Sequence, residues 1–157
     1  QRSLQAPITL ISGSVLDVFK QSASEDYKKN GHCKEIFKHT FWILLLIALP
    51  SSIILFVFVE DLFIWLFGEP WKESGIYAKI LIPALFLRFM ANPLSFMLYI
   101  AEKQFINFFG MFGLLILVFL SLTQTDSSLE AIYGISFSLS VVYFCYLIVS
   151  ARLAKVL

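Results

Sequence analysis

The sequence predicts an all-α, polytopic membrane protein, and the prediction rests on its composition and on the spacing of its charges. Of the 157 residues, 59% are hydrophobic and 15% are charged, whereas soluble domains have about 45–50% and about 25%. Three stretches, residues 39–59, 104–125 and 131–151, contain no Asp, Glu, Lys or Arg. As a helix with a rise of about 1.5 Å per residue, each stretch would cross a hydrocarbon layer roughly 30 Å thick. This pattern excludes a soluble globular domain.

Five helical segments are predicted, and they account for most of the chain. They are segment A (residues 4–24), B (37–67), C (75–101), D (105–122) and E (129–153). Backbone groups in lipid must be hydrogen-bonded within their own segment, and the ten-residue alternation of a barrel strand does not occur, so each segment is predicted to be a helix. Pro50 is expected to kink segment B. No linker or repeat divides the chain, so residues 1–157 are predicted to form one membrane domain. We expect this domain to be the C-terminal part of a longer protein.

The basic residues predict how these helices are oriented. Eight lie on one side of the membrane and three on the other, and they alternate correctly from helix to helix. The eight are Lys20, Lys28, Lys29, Lys34, Lys38, Lys103, Arg152 and Lys155. By the positive-inside rule, the A–B loop, the C–D turn and the C-terminus are predicted to face the cytoplasm. Trp42 would then lie at the inner interface and Trp65 and Trp71 at the outer one, and the lysine cluster is interpreted as attracted to anionic membrane lipid rather than as a ligand site.

Composition and cysteine usage exclude several function classes. The net charge is +1 and the pI is about 7.9, so the protein has no basic field that would hold nucleic acid. Cys33, in a predicted polar loop, and Cys145, within segment E, cannot form a disulfide framework. His32 and His39 lack a metal-ligand spacing with Cys33. Because no nucleotide-binding loop, nucleophile elbow or intramembrane carboxylate pair occurs, we predict neither an enzyme nor a bound cofactor or metal.

Segment C carries a polar face in the middle of the predicted membrane domain. Arg88 lies near its centre, where an Arg costs roughly 2.5–3.5 kcal/mol on insertion scales, so we expect it to face protein or water. Helical offsets place Asn92, Ser95 and Tyr99 on the same face. This combination predicts the wall of a cavity. The alternative is that Arg88 locks segment C to segment A, where Asp17 forms a second polar face together with Gln21 and Ser24.

A resemblance to a known family is carried by two runs of the sequence. They are FIWLFGEPWKESGIYAKILIPALFLRFMANPLSFMLYIAEKQ (residues 63–104) and, before it, ITLISGSVLDVFKQSASEDYKKNG (8–31). They resemble the C-terminal region of the polysaccharide-biosynthesis flippases, which belong to the multidrug/oligosaccharidyl-lipid/polysaccharide exporter superfamily. The most specific parts are the aromatic-Gly-Glu-x-Trp-x-x-x-Gly stretch, Arg88 and the closing Glu-Lys-Gln.

The resemblance implies both an architecture and an activity. Segments A to E would be the last helices of a transporter with twelve to fourteen helices, and the missing N-terminal lobe would be their partner. Members of the family move undecaprenyl-diphosphate-linked oligosaccharides across the bacterial inner membrane by alternating access between two lobes that enclose a cationic cavity.

The residues that would serve this activity are those of the two polar faces. Arg88 is expected to bind the diphosphate, because its guanidinium can donate paired hydrogen bonds to phosphate oxygens. The polar side chains beyond it would bind sugar hydroxyls or water, and segment A would supply the opposite wall. These candidates are Asn92, Ser95 and Tyr99 on segment C, and Asp17 and Gln21 on segment A.

Two other functions fit the same sequence. A multidrug or cation antiporter of the same fold would need a carboxylate in the middle of the membrane, for which Asp17 is the only candidate and lies near one end of its segment. A non-transporting scaffold subunit would use its polar faces to bind partner helices, and its Arg88 would be dry and paired.

Overall fold

A computed structural model describes residues 17–125 and 127–156. Within these residues the fold is entirely helical, as the sequence predicts. Residues 17–30 are helical and belong to the first helix, α1, so residues 4–16 of predicted segment A lie outside the described residues. The other helices are α2 (Lys34–Phe67), α3 (Lys72–Leu94), α4 (Met97–Ile100), α5 (Gln104–Thr123) and α6 (Ser128–Leu153), with a short 3-10 turn over Glu69–Trp71.

Four helical stretches of the described residues are long and apolar enough to cross a membrane. They are Lys34–Phe67, Glu69–Ile100, Gln104–Thr123 and Ser128–Leu153. They correspond to predicted segments B to E. Their ends differ from the prediction by three residues or fewer, except that the second stretch begins six residues before predicted segment C. The protein is therefore an all-α chain compatible with a multi-pass membrane protein.

The helix of predicted segment C contains a short turn at Ser95 and Phe96, both of which keep right-handed helical backbone angles. Proline has no backbone N–H, and α3 ends one residue after Pro93. The amide of Phe96 donates to the Pro93 carbonyl at 3.3 Å, which tightens the chain before the single turn of α4. In contrast, α2 continues as a helix through Pro50. The predicted kink at Pro50 stays a prediction. The turn at Ser95 and Phe96 lies beside the polar face of segment C.

The two glycines of the aromatic-Gly-Glu-x-Trp-x-x-x-Gly stretch have structural roles. Gly68 ends α2 with a φ of 91°, a backbone conformation that favours glycine, and its amide donates to the Ile64 carbonyl at 2.8 Å. A Cβ on Gly75 would lie 2.9 Å from the Cα of Glu60, so only glycine lets α3 pack this closely on α2. The most specific part of the family resemblance therefore builds the α2–α3 hairpin.

α3 lies at the centre of the described helices. It packs against α2 on one side and α6 on another, and α5 packs against α6. No residue of α5 is buried within the described structure, and its phenylalanines, such as Phe108 and Phe112, are exposed. This apolar surface is what a helix in contact with lipid or further helices presents.

Cys33 is the main correction to the interpretation of the loops. The sequence placed it in a polar loop, whereas its side chain is fully buried against Phe37, Met90 and Met97 in the core that joins α1, α2 and α3. Its thiol donates to the Met97 sulfur, with the two sulfurs 3.1 Å apart. Burial, and secondarily the nearby carboxylate of Asp26, raise the pKa of Cys33 to about 11. The neighbours of Cys33 in the sequence are polar, so the sequence did not indicate its apolar contact with Met97 on α4.

Candidate functional site

The predicted polar face lines a cavity beside the turn between α3 and α4. We call it the polar cavity; its volume is about 290 Å³. Residues from α1, α3, α4, α5 and α6 and from the turn after α3 line it. They are Lys20, Arg88, Asn92, Ser95, Phe96, Tyr99, Asn107, Met111, Tyr143 and Tyr146. The structure thus brings together all four residues that the sequence placed on one face of segment C.

Arg88 is the central cation of the polar cavity. It lies on α3 and is exposed to the cavity rather than packed away. Among the described residues it forms neither a hydrogen bond nor an ion pair; the described partner of the Asp17 carboxylate is Lys20, 3.6 Å away. The predicted lock between Arg88 and Asp17 is therefore not formed within the described part of the chain. A guanidinium in this position has its five N–H donors available for water or an anion.

Lys20 is a second cation that the sequence reasoning did not assign to the site. It extends from α1 into the polar cavity, and its ammonium lies 5.0 Å from the ring centroid of Phe96, a cation–π distance. The sequence analysis counted Lys20 among the cytoplasmic charges of the A–B loop, whereas it lies within α1. No Asp or Glu is among the described residues that line the cavity, so its lining is cationic.

Two hydrogen bonds connect the residues of α4, α5 and α6 that line the polar cavity. The side-chain amide of Asn107 on α5 donates to the Tyr99 hydroxyl at 2.8 Å. The Tyr146 hydroxyl on α6 donates to the backbone carbonyl of the same Asn107 at 2.9 Å. These two bonds join α4, α5 and α6 around one residue. Asn107 and Tyr146 were missed because their partners lie on other helices, and the sequence alone does not show which helices meet.

Gly110 makes room for this wall. A Cβ at this position would lie 2.8 Å from two ring carbons of Tyr146 and would also collide with its hydroxyl. The Tyr146 side chain is only 4% exposed, so the ring has little space to move away. Gly113, one turn further along α5, has no neighbouring atom within 4 Å of such a Cβ. Of these two glycines, the first is therefore the one that shapes the cavity.

Asp17 and Gln21, the predicted contributions of segment A, do not line the polar cavity. The Asp17 side chain is 77% exposed, and the amide of Gln21 donates to the exposed carboxylate of Glu25 at 3.4 Å. Lys20 lies between them in the sequence and is the residue of α1 that reaches the cavity. Substrate binding by Asp17 and Gln21 stays a prediction.

Comparison with known proteins adds no relative from which a function follows. Neither the family models, the curated proteins nor the solved structures that were searched match this chain. The flippase resemblance accordingly depends on the sequence features given above, and the functional assignment depends on the chemistry of the polar cavity.

Proposed function

We propose that the chain is part of a transporter that moves undecaprenyl-diphosphate-linked oligosaccharide across the bacterial inner membrane, and that the polar cavity receives the diphosphate. The observation that carries the proposal is Arg88, an unpaired cation among the described residues, which faces a cavity without an acidic lining residue between apolar helices. An Arg in such a segment is costly unless it faces water or a ligand. A cavity of this kind favours an anionic group.

The lining matches the parts of a lipid-linked sugar that cannot enter hydrocarbon. A diphosphate carries negative charges, for which Arg88 supplies a bidentate fork and Lys20 a compact second charge. Asn92, Ser95 and Tyr99 offer hydroxyl and amide groups to sugar hydroxyls or to water. The polyprenyl tail needs no such path, because it is as apolar as the bilayer itself. The protein therefore only has to lower the barrier for the head group.

We further propose that the chain forms most of the C-terminal lobe of a transporter with twelve to fourteen helices. The exposed apolar surface of α5 and the exposed polar side chains Arg88 and Asn92 support this arrangement, because an N-terminal lobe would cover the polar side and complete the cavity wall. Transport should accordingly require both lobes. Reconstituted residues 1–157 that flip the substrate on their own would contradict this part of the proposal.

In the proposed orientation, the Lys38 end of α2 and the C-terminus face the cytoplasm. Cys33 is unsuitable as a reporter because it is buried, so the test uses single cysteines at Ser127 and Lys155, both exposed, in a chain with Cys33→Ala and Cys145→Ala. We expect an impermeant thiol reagent added to intact cells to label Ser127→Cys and to spare Lys155→Cys. The reverse pattern would overturn the orientation.

The antiporter alternative gains no support from the structure. Proton or cation antiport needs a carboxylate exposed to the transport path. The candidate, Asp17, lies outside the described lining of the polar cavity and is paired with Lys20.

The decisive test of the proposed function is a set of substitutions at Arg88. We expect Arg88→Ala to abolish glycan export in the full-length protein at near-normal membrane abundance, and Arg88→Lys to restore export only in part, because an ammonium keeps the charge but lacks the fork. Arg152→Ala, which removes an exposed Arg outside the cavity, is the matched control and should export normally.

The same experiment distinguishes a structural role for Arg88. If Arg88 were a lock with Asp17, Arg88→Ala would lower abundance, and the double change with Asp17→Asn would restore abundance and export together. If Arg88 binds the diphosphate, the double variant should stay inactive. Normal export by Arg88→Ala would refute the proposed function.

A further inference from the structure

A second and larger cavity lies between α2, α3 and α6. We call it the apolar groove; its volume is about 570 Å³, within the range of roughly 300–1,000 Å³ that is usual for ligand sites. Its lining comes mainly from aromatic and aliphatic side chains, among them Phe37, Phe41, Phe86, Met90 and Leu147. These side chains have no hydrogen bonds to offer to a polar molecule. Its occupant must therefore be apolar over most of its length.

The apolar groove faces away from the polar cavity. On α3 the groove is lined by Phe86, Leu87 and Met90, and the cavity by Arg88 and Asn92 together with Ser95 just beyond the helix end. At 100° per residue, these two sets are centred about 160° apart around the helix. The groove is thus a separate site, and its occupancy does not depend on the proposed function of the polar cavity.

One charged residue, Lys38, lies among the described residues that line the apolar groove. It is exposed, and the described part of the chain offers it no ion pair. Trp42, one helical turn further along α2, also lines the groove and is 60% exposed. A cation next to an exposed Trp at the end of an apolar helix is typical of the membrane–water interface, where a phospholipid places its phosphate.

We propose that the apolar groove binds one acyl chain of an anionic phospholipid whose head group contacts Lys38. The charge of the groove selects this occupant, because a single cation at the mouth of an otherwise uncharged lining complements a negative head group attached to an apolar chain. A zwitterionic lipid would fill the same groove without the net attraction to Lys38. The site would tie a lipid to three helices at once.

Trp42 serves as a built-in reporter for this proposal. The protein is reconstituted with Trp65→Phe and Trp71→Phe, so that Trp42 is the remaining tryptophan. Its fluorescence is then measured against increasing mole fractions of phosphatidylglycerol or phosphatidylcholine with brominated acyl chains, which quench tryptophan on contact. We expect half-quenching at a mole fraction about fivefold lower for phosphatidylglycerol, the ratio that corresponds to ~1 kcal/mol for one basic residue near an anionic surface.

Two variants and a second reporter serve as controls. Lys38→Gln should bring the ratio close to one while leaving quenching by phosphatidylcholine unchanged, and, because Lys38 is exposed, it should not disturb folding. Lys155→Gln removes the same charge from an exposed residue outside the groove lining and should keep the ratio. A chain whose only tryptophan is Trp65, which is 80% exposed and lies outside the groove lining, should show no preference.

Three results would overturn the proposal. Equal quenching of Trp42 by the two lipids would show that the groove does not select an anionic head group. A preference that persists in Lys38→Gln would remove Lys38 from the site. Recovery of fluorescence when undecaprenyl phosphate is added in an amount equimolar to the protein would assign the groove to a polyprenyl chain instead.

Discussion

The polar cavity and the apolar groove share α3 and α6 as walls and differ in almost every other respect. The first has two cations, several hydrogen-bonding side chains and about 290 Å³; the second has one cation at its mouth, an apolar lining and about 570 Å³. In water, an apolar groove would be the anomaly. In a bilayer, the polar cavity is the costly feature, because each polar group in it must be paired, hydrated or bound to a ligand.

This difference shows how the two sides of one helix, α3, can line a polar site and an apolar site. Alternating faces of α3 carry Arg88 and Asn92 toward one side and Phe86 and Met90 toward the other. Beyond Pro93, Ser95 and Tyr99 continue the polar side together with groups from α5 and α6. Five helices supply described residues that line the polar cavity, whereas the apolar groove lies between three.

The largest effect on the polar side is expected from Gly110→Ala. The added methyl group collides with the ring of buried Tyr146, so the free energy of unfolding should fall by about 1–3 kcal/mol, as is usual for overpacking, and export should fall with it. Gly113→Ala is the matched control, because its Cβ meets no atom within 4 Å. It should leave stability unchanged or raise it by up to ~1 kcal/mol through helix propensity. Equal effects of the two substitutions would show that the α5–α6 contact does not shape the cavity.

In the core that includes Phe37 and Met90 of the groove lining, stability should depend on pH through Cys33. Its pKa is raised from 9.0 to about 11 by burial, so the folded chain holds the thiol proton more tightly than the unfolded chain. The stabilisation is present below pH 9 and is lost as the pH rises from about 9 to 11. Over this interval the free energy of unfolding of the wild type should fall by about 1–2 kcal/mol relative to Cys33→Ala. Parallel pH profiles for the two proteins would mean that Cys33 is solvated.

The ion pair between Glu60 and Lys79 joins α2 to α3 far from the Lys38 end of α2. Substitutions at this pair measure how much it stabilises the α2–α3 contact. Glu60 follows Lys38 by 22 residues on α2, or about 33 Å of helix, and its carboxylate accepts a hydrogen bond from Lys79 at 2.7 Å. Both side chains are about one-third exposed, so Glu60→Gln should cost about 1–2 kcal/mol, between the values for surface and buried pairs.

The control for this pair is Lys72→Met, which removes a cation for which no ion pair is found among the described residues. It should change the free energy of unfolding by less than about 0.5 kcal/mol. The double variant Glu60→Gln with Lys79→Met should regain part of the loss, because neither charge is then left alone. If the double variant lost as much free energy of unfolding as Glu60→Gln and Lys79→Met together, a direct interaction would be excluded.

The smallest effects are expected at two turns with left-handed backbones. Glu102, after α4, has a φ of 56°, and Lys155, after α6, has a φ of 59°. A left-handed backbone costs a non-glycine residue about 1–2 kcal/mol. Replacement by glycine removes this cost, but glycine loses more conformational entropy on folding, which offsets part of the gain. Glu102→Gly and Lys155→Gly should each stabilise the protein by about 0.5–1 kcal/mol in equilibrium unfolding. Glu102→Ala, which retains the Cβ, should bring no gain.

Much of the fold was predictable because the bilayer imposes simple rules on sequence. Charge-free runs located α5 and α6 closely and the middle of α2, since a helix that crosses hydrocarbon must be long and apolar. The burial of Cys33 was not predicted. It depends on a tertiary contact with the sulfur of Met97, which local pattern does not encode.

The candidate site was predictable in the part that lies on one helix. Helical periodicity placed Arg88, Asn92 and Ser95 together, and the structure lines one cavity with them. The sequence analysis also assigned Asp17 to the facing wall, whereas the residue of α1 that lines the cavity is Lys20. Asp17 and Lys20 are three residues apart and lie on the same side of α1. Which of them reaches the cavity depends on how α1 packs against α3, and a single sequence does not contain that information.

The central claim is that the polar cavity, rather than the apolar groove, receives the head group of a lipid-linked oligosaccharide. The most direct measurement is photo-crosslinking in the full-length protein with a photoreactive residue in place of Met111 in the cavity or Phe144 in the groove, using substrate labelled in its sugar. Neither residue has a proposed binding role. We predict labelled adduct at Met111, its loss when Arg88→Ala is added, and none at Phe144. Adduct at Phe144 alone, or adduct at Met111 that is unaffected by Arg88→Ala, would contradict the claim.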